Sequence, residues 1–482
     1  MTTAIPPPSP LPPTDTTKRL LPWLVAVAFF MQSLDTTILN TAVPTIAHVM
    51  NVTPLDMKSV LACYTLSLAV FIPISGWMAD RFGTRRVFAS AIGLFTLGSL
   101  LCGLAVNIDM LVACRVIQGM GGAMMVPVGR MTMVRTFPKS ELVRAMSFVS
   151  IPSLIGPMLG PVIGGLIVHY LHWSMVFLVN LPVGALGLFM VWRFLPDYRQ
   201  DKHHALDVVG FILFGAGIAL LSYVLEVFGE HRLGDLEILG LLAISAVLLA
   251  GYGVNAMHVK RPLLRLELFR LRTFRAAVGG SFFSRLGLGG LPFLFPLLYQ
   301  IGLGYSAVQS GLLVMPQAMA AMGLKLIVTR ILARFGYRTV LLGNTLILGV
   351  LILGFATIDV GTPAWRIVLQ AFVLGFFTST QYTSMNTLVY ADVTAQETSA
   401  ASTIASTGQQ MSISFGVAGA SLIAATFVPD EMRGNPAALI HGVHQAFIVL
   451  AIMTIVSSVL FLQLKRDDGG SVSRYKAGRQ PS

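Results

Sequence analysis

Apolar residues along this chain fall into runs of about twenty, each bounded by a charged or turn-forming cluster. A helix of about twenty such residues crosses a hydrocarbon core about 30 Å thick. Fourteen runs are found, near 20–46, 57–78, 87–106, 109–134, 142–168, 173–195, 207–228, 235–257, 276–300, 306–329, 338–357, 363–389, 403–427 and 441–464. The connections between them are short, which leaves almost no chain for a soluble domain. The pattern predicts an all-α membrane protein of fourteen spans.

Composition narrows this further. Only 11% of the 482 residues are charged and 55% are apolar, with a mean hydropathy of +0.76. Soluble domains carry about 25% charged residues. A soluble enzyme, a disordered chain and a nucleic-acid-binding domain are therefore excluded. The excess of 33 Lys+Arg over 21 Asp+Glu has a membrane source, because basic loops hold spans in one orientation. With the N-terminus in the cytoplasm, the outer connections hold Lys58, Arg232, Arg366 and Arg433, and nearly all other basic residues lie inside. An even number of spans then places both termini in the cytoplasm. The richest inner loop, 258–275, has six Lys and Arg against Glu267. The inner connection 390–402 departs from the pattern, with Asp392 and Glu397 and no base. The Pro-rich stretch 5–13 reads as disordered, and the apolar run after Lys18 and Arg19 as a retained span rather than a signal peptide. Cys63, Cys102 and Cys114 lie inside apolar runs at spacings that fit neither a disulfide framework nor a zinc site.

An internal repeat is visible. The loop after the second run reads Asp80-Arg81-Phe82-Gly83-Thr84-Arg85-Arg86-Val87, and 253 residues later the chain reads Ala333-Arg334-Phe335-Gly336-Tyr337-Arg338-Thr339-Val340. Convergence of basic hairpin loops is one explanation; common architecture is the other, and the in-register match favours it. The spacing gives two six-span halves with an extra pair between them. The expected divisions are a tail at 1–19, a first half at 20–195, two inserted helices at 196–262, a second half at 263–464 and a tail at 465–482.

The stretch from Gly76 through Asp80, Arg81, Gly83, Arg85 and Arg86 resembles motif A of the major facilitator superfamily. Three further stretches resemble its fourteen-span drug:proton antiporter branch (EmrB/QacA type). They are 34–44 around Asp35, 115–123 from Arg115 through Gln118, and 156–165, which carries Gly156, Pro157, Gly160, Pro161 and Gly164 in the manner of the antiporter motif C. The resemblance implies proton-driven export across a bacterial inner membrane. It also implies that Arg115 influences protonation of a neighbouring carboxylate.

The residues themselves carry part of this chemistry. A carboxylate at Asp35, more than halfway along the first span, costs roughly 2.5–3.5 kcal/mol to insert and should face a wet cavity or a partner. It reads either as a coupling group or as a structural carboxylate bonded to Thr36, Thr37 or Asn40. Arg115 is a fixed cation or a snorkelling residue at the outer interface. Gln118 is grouped with this pair, although it and the glycines that follow look more like close packing. Gly156, Gly160 and Gly164 share one helix face and suit close helix approach, and Pro157 and Pro161 favour a kink. Together they suggest a moving seam between the halves. Asp80 with Arg81, Arg85 and Arg86 suits a cytoplasmic latch between halves in the outward-open state.

Two cations fall outside these motifs. Arg285 lies in the ninth run, one turn from the repeat-mate of Asp35, and Lys325 lies in the tenth. Both suit an anionic substrate. Lys325 reads equally as a snorkelling residue, and Arg285 as a partner for Asp35. His441 and His444 read as interface residues rather than a metal site.

The resulting expectation is a proton-coupled, multidrug-type exporter of small organic compounds that works by alternating access, with no cofactor and no metal. Export of organic anions such as citrate or iron-citrate is the alternative within transport. A non-transporting membrane sensor or scaffold is the alternative outside it. Neither a nucleophile–base pair nor a metal constellation suggests an enzyme. The expected partners are a small-molecule substrate, protons and the lipid bilayer, with no nucleic acid, and nothing in the sequence assigns a periplasmic adaptor.

Overall fold

The computed structural model describes residues 15–137, 139–195, 197–198, 205–227, 234–323, 325–394, 397–428 and 435–470. The Pro-rich stretch 5–13, Arg232 and Arg433 lie outside them. Every apolar run folds as helix. The first set comprises α1 (Asp15–Val49), α2 (Lys58–Phe82), α3 (Thr84–Gly103), α4 (Ile108–Thr136), α5 (Lys139–Tyr170), the short α6 (Met175–Leu178) and α7 (Asn180–Phe194). Next come α8 (Val208–Val227) and α9 (Asp235–His258), packed on each other. The second set comprises α10 (Arg272–Gly289), α11 (Leu291–Pro296), α12 (Ala307–Gly323), α13 (Lys325–Phe355), α14 (Ala364–Leu388), α15 (Thr398–Thr426) and α16 (Pro436–Ser457).

Runs and helices do not map one to one. The sixth run breaks at Val179 into α6 and α7. The ninth passes through α10, α11 and a π-helical turn, Leu297–Gly302, just after Pro296, whose ring removes a backbone donor. The tenth run is shared between α12 and the start of α13. Among the described residues, ten helices are long and apolar enough to cross a membrane. The mid-sections of α14 and α15, Thr378-Ser379-Thr380-Gln381 and Ser406-Thr407-Gly408-Gln409-Gln410, are polar, and α12 has only 17 residues.

The repeat has a backbone signature. Gly83 joins α2 to α3 at φ 94°, and Gly336 bends α13 at φ 73°. An L side chain strains at either angle, so both copies of Arg-Phe-Gly turn on the residue that tolerates it.

Three apolar cores explain the architecture. One draws on both sets, for example Ile38, Leu55, Leu61 and Phe177 with Phe295, Tyr299, Val417 and Phe447. The second lies wholly in the first set, around Phe88, Phe95 and Met125. The third belongs to α8–α9 and the second set, around Phe274, Tyr337 and Phe461. The sets thus fuse at one end of the bundle and part at the other, where the basic α2–α3 loop lies. At the fused end Ser414 Oγ donates to Ala62 O (2.9 Å), Ser421 Oγ to Leu55 O (3.0 Å) and Gln300 Nε2 to Thr41 O (2.9 Å).

The motif C glycines Gly156, Gly160 and Gly164 turn toward α1 and not toward the second set. A Cβ on Gly156 would meet Ser33 and Leu34, on Gly160 Thr37 and Ile38, and on Gly164 Ile38. All three face α1, inside the first set, where absent side chains let α5 approach its neighbour. The contact between sets is carried beside them, by Gly165 against Ala307 and Val308 and by Pro161 and Val162 against Gly311.

Candidate functional site

A charged network is buried inside the first set. Arg115 and Gln118 lie three residues apart on α4 and therefore share a face. Arg115 Nη1 donates to Asp35 Oδ2 at 2.7 Å, and Gln118 Nε2 donates to Asp35 Oδ1 at 2.7 Å. Arg115 Nη1 also donates to Gln118 Oε1 at 2.6 Å, which fixes the direction of the carboxamide. Two further residues complete the network. Asn180, the first residue of α7, donates from Nδ2 to Asp35 Oδ1 at 3.1 Å, and Ser99 on α3 accepts from Gln118 at 2.7 Å and from Asn180 at 3.3 Å. The Arg115 guanidinium lies 4.1 Å from the Tyr64 ring centroid and sends Nε to Val60 O. Asp35 and Arg115 are each 1% exposed.

Charges taken out of water cost several kcal/mol each, which a close pair offsets only with good geometry and further hydrogen bonds. Here the carboxylate accepts from three side chains. Arg115 is a buried partner, so the snorkelling reading is removed. Thr36 and Thr37 bond backbone carbonyls instead of Asp35. Of the two settings the sequence allowed, a wet cavity or a partner, Asp35 has the partner in this conformation: the fixed guanidinium and two amides stand in place of water. Gln118 belongs to the chemistry of this network, while Gly119 and Gly121 pack against α2 and α3. Nearby, Gln32 Oε1 and the Tyr64 hydroxyl are buried without a hydrogen-bond partner.

Arg285 lies elsewhere, in the second set. It is 3% exposed, stacks 3.6 Å from the Tyr382 ring centroid and donates from Nε to Ser281 Oγ at 3.1 Å. With its carboxamide oxygen turned inward, Gln409 accepts from Arg285 Nη1 at 2.8 Å. No carboxylate pairs with Arg285 among the described residues, and Asp35 is taken by Arg115. Lys325 begins α13, and its side chain lies outside the described residues. Where the first set has an ion pair between α1 and α4, α13 and α14 hold a neutral cluster. Asn344 donates to Gln381 Oε1 and Gln381 to Thr345 Oγ1, both at 2.8 Å.

Motif A makes its contacts within the first set. Asp80 pairs with Arg135 of α4 at 2.6 Å, Arg81 stacks on Trp77, and Arg85 bonds the Trp192 carbonyl. Gly76 has open space around it, and Arg86 is exposed. His444 bonds the Ile358 carbonyl, and among the described residues the three cysteines form no disulfide and no metal-like cluster occurs.

Asn180, Ser99 and Tyr64 were not legible as site residues in the sequence. For Asn180 a signal exists: it is the lone amide in the sixth run, 173–195.

The chain is similar to known proteins over most of its length. It is 39% identical over 445 residues to MdtD of Serratia proteamaculans (strain 568), provisionally named a multidrug resistance protein, covering 92% of this chain and 93% of that protein. Identity is also 39% over 462 residues to MdtD of Escherichia fergusonii, with 95% and 98% covered. MdtD is the protein that the motifs of spans 1, 4 and 5 suggest. The fold matches the crystal structure of a bacterial homologue of the human lysosomal transporter Spinster, in an inward-facing and unoccupied conformation. The TM-score is 0.66 at 15% identity, with 93% and 97% covered. The family model described as Major Facilitator Superfamily matches residues 25–417. With helices that form two sets about a repeated Arg-Phe-Gly turn, the chain belongs to the Major Facilitator Superfamily of membrane transporters.

Proposed function

We propose that this transporter is a fourteen-span, proton-coupled exporter of small organic compounds in a bacterial inner membrane, working by alternating access. The observation that carries the reading is the buried Asp35–Arg115–Gln118–Asn180 network, a titratable group held by a cation that stays charged. In this conformation the carboxylate is sealed and fully bonded. Proton exchange at Asp35 would require the carboxylate to part from Arg115, which the alternate conformation would allow. The basic loops place the parted end and both termini in the cytoplasm, so the fused end is periplasmic and the state is inward-facing. The halves are 20–195 and 263–464, with α8 and α9 as the inserted pair. Motif A is then a latch awaiting the opposite state, its Asp80 engaged meanwhile with Arg135. The multidrug names of the 39%-identical relatives favour drug-like organic compounds.

Arg285 favours a second reading. A buried cation bonded only by neutral groups among the described residues suits an organic anion. Expelling negative charge from a negative interior gains about 2.3 kcal/mol per charge per 100 mV.

One experiment tests both. The protein is reconstituted in vesicles with an imposed pH gradient, and movement of ethidium and of citrate is followed. Gradient-driven ethidium flux that is lost in Asp35→Asn and kept in Arg285→Ala is expected on the first reading. Citrate flux that is lost in Arg285→Ala is expected on the second. Flux indifferent to the gradient would remove proton coupling.

A further inference from the structure

A cavity of about 890 Å³ opens at the basic end, between the last turns of α9 and the chain leading into α10. Its volume lies within the usual range for small-molecule sites, about 300–1,000 Å³. The charged side chains lining it are Lys260, Arg265 and Arg270, with Glu267 as the one acid. All are exposed, and among the described residues none of the three cations pairs with a carboxylate. Such an excess of unpaired positive charge calls for an anion.

The frame around these cations is fixed. Asp207 accepts from Asn255 Nδ2 at 2.9 Å and from the Leu263 backbone N–H at 3.2 Å. The Tyr252 hydroxyl accepts from Leu264 N and donates to Leu264 O, at 2.9 and 3.3 Å. Asp207, the nearby carboxylate, is thus occupied by neutral donors. The loop that carries Lys260 and Arg265 is tied to α9 directly at Tyr252 and, through Asp207, at Asn255.

The other wall is apolar and outward-facing. Val254 and Met257 line the cavity mouth, and they continue a face of α9 that also exposes Val247, Ile244 and Leu239. From Val247 to Met257 the helix rises about 15 Å, half of a ~30 Å hydrocarbon core. The occupant must therefore carry an anionic head and an apolar tail lying along α9. We propose that this cavity binds the headgroup of an anionic phospholipid, with an acyl chain laid against Val247, Val254 and Met257. Basic pockets between membrane helices suit such headgroups. The site is independent of the transported substrate.

Native mass spectrometry on the solubilised full chain tests this, with phosphatidylglycerol and phosphatidylcholine of matched acyl chains. Retention of phosphatidylglycerol at least about tenfold above phosphatidylcholine is expected. The triple variant Lys260→Gln/Arg265→Gln/Arg270→Gln should lose that preference. Glu267→Gln should strengthen it, because it removes the one opposing charge without touching a buried group. Arg330→Gln/Arg334→Gln, which neutralises two exposed cations of α13 at the same end, should leave it unchanged. Equal retention of the two lipids by the native chain would overturn the proposal. So would a loss in the α13 variant as large as in the triple variant. Displacement of phosphatidylglycerol by an equal concentration of inorganic phosphate would also overturn it, because the site would then recognise phosphate without the tail.

Discussion

At the scale of single residues, the buried ion pair is asymmetric in what its two ends tolerate. Removing Arg115 leaves a buried carboxylate uncompensated, a change that typically costs about 3–5 kcal/mol. Arg115→Ala is therefore expected to be strongly destabilised in thermal unfolding, and Asp35→Asn/Arg115→Gln to recover most of that loss. A double variant as unstable as Arg115→Ala would show that the pair is not the source of the effect. Asn180→Leu is milder. It leaves Asp35 with two donors and removes one hydrogen bond to a charged group, worth about 1.5–3 kcal/mol. Arg285 differs in kind, because besides Ser281 and Gln409 it meets a ring face that a planar guanidinium fits better than an ammonium does. Arg285→Lys should therefore behave like Arg285→Ala in the flux assay, despite keeping its charge.

At the scale of elements, small residues decide which helices can touch. A Cβ on Gly165 would push against the backbone of Ala307 across the two sets, whereas one on Gly164 would push against Ile38 of α1. Gly164→Ala should thus lower stability by loosening α5 on α1. Gly165→Ala should instead shift the conformational balance away from the fused end, seen as greater labelling of a cysteine placed at Ser414. At the chain's basic end, Asp468 clamps α10 through Arg272 at 2.6 and 2.9 Å. Burial alone would push its carboxyl up. The Arg272 hydrogen bond, the Lys465 backbone N–H and the adjacent positive charges outweigh that and hold it below its usual value. A carboxyl depressed on folding adds stability above its unfolded pKa, about 3.9, which is lost as pH falls through the folded value. Asp468→Asn should thus lower stability at pH 7 by a few tenths to about 1 kcal/mol, since Arg272 is partly exposed. The difference should shrink in melting curves as pH falls below about 3.9 and vanish only below the depressed folded value.

At the scale of the whole molecule, one core shared at the fused end and two separate cores at the basic end are the arrangement that the proposed alternating access requires. Packed cores are bistable rather than continuously deformable, so on that proposal the fused end must part when the basic end closes. A disulfide between cysteines at Leu55 and Ser421, in a background without the three native cysteines, should form readily and abolish flux until it is reduced. Full transport with that bond closed would show that the fused end need not part.

The sequence alone determined the membrane setting, the helical spans, the repeated Arg-Phe-Gly turn and the family. Each of these is a local property: run length, charge asymmetry, or a glycine that must adopt positive φ. Asp35 and Arg115 were also legible, since a charge inside an apolar run is costly enough to stand out. Their pairing was not, nor was the part played by Asn180 and Ser99, because a hydrogen bond between α1, α3, α4 and α7 leaves no periodic trace in the chain. The motif C glycines show the same limit. Their four-residue spacing announces one close helix contact, but whether it falls on α1 or across the two sets depends on how α5 is rotated in the bundle. Rotation is set by the packing of whole helices, and only the tertiary structure decided it.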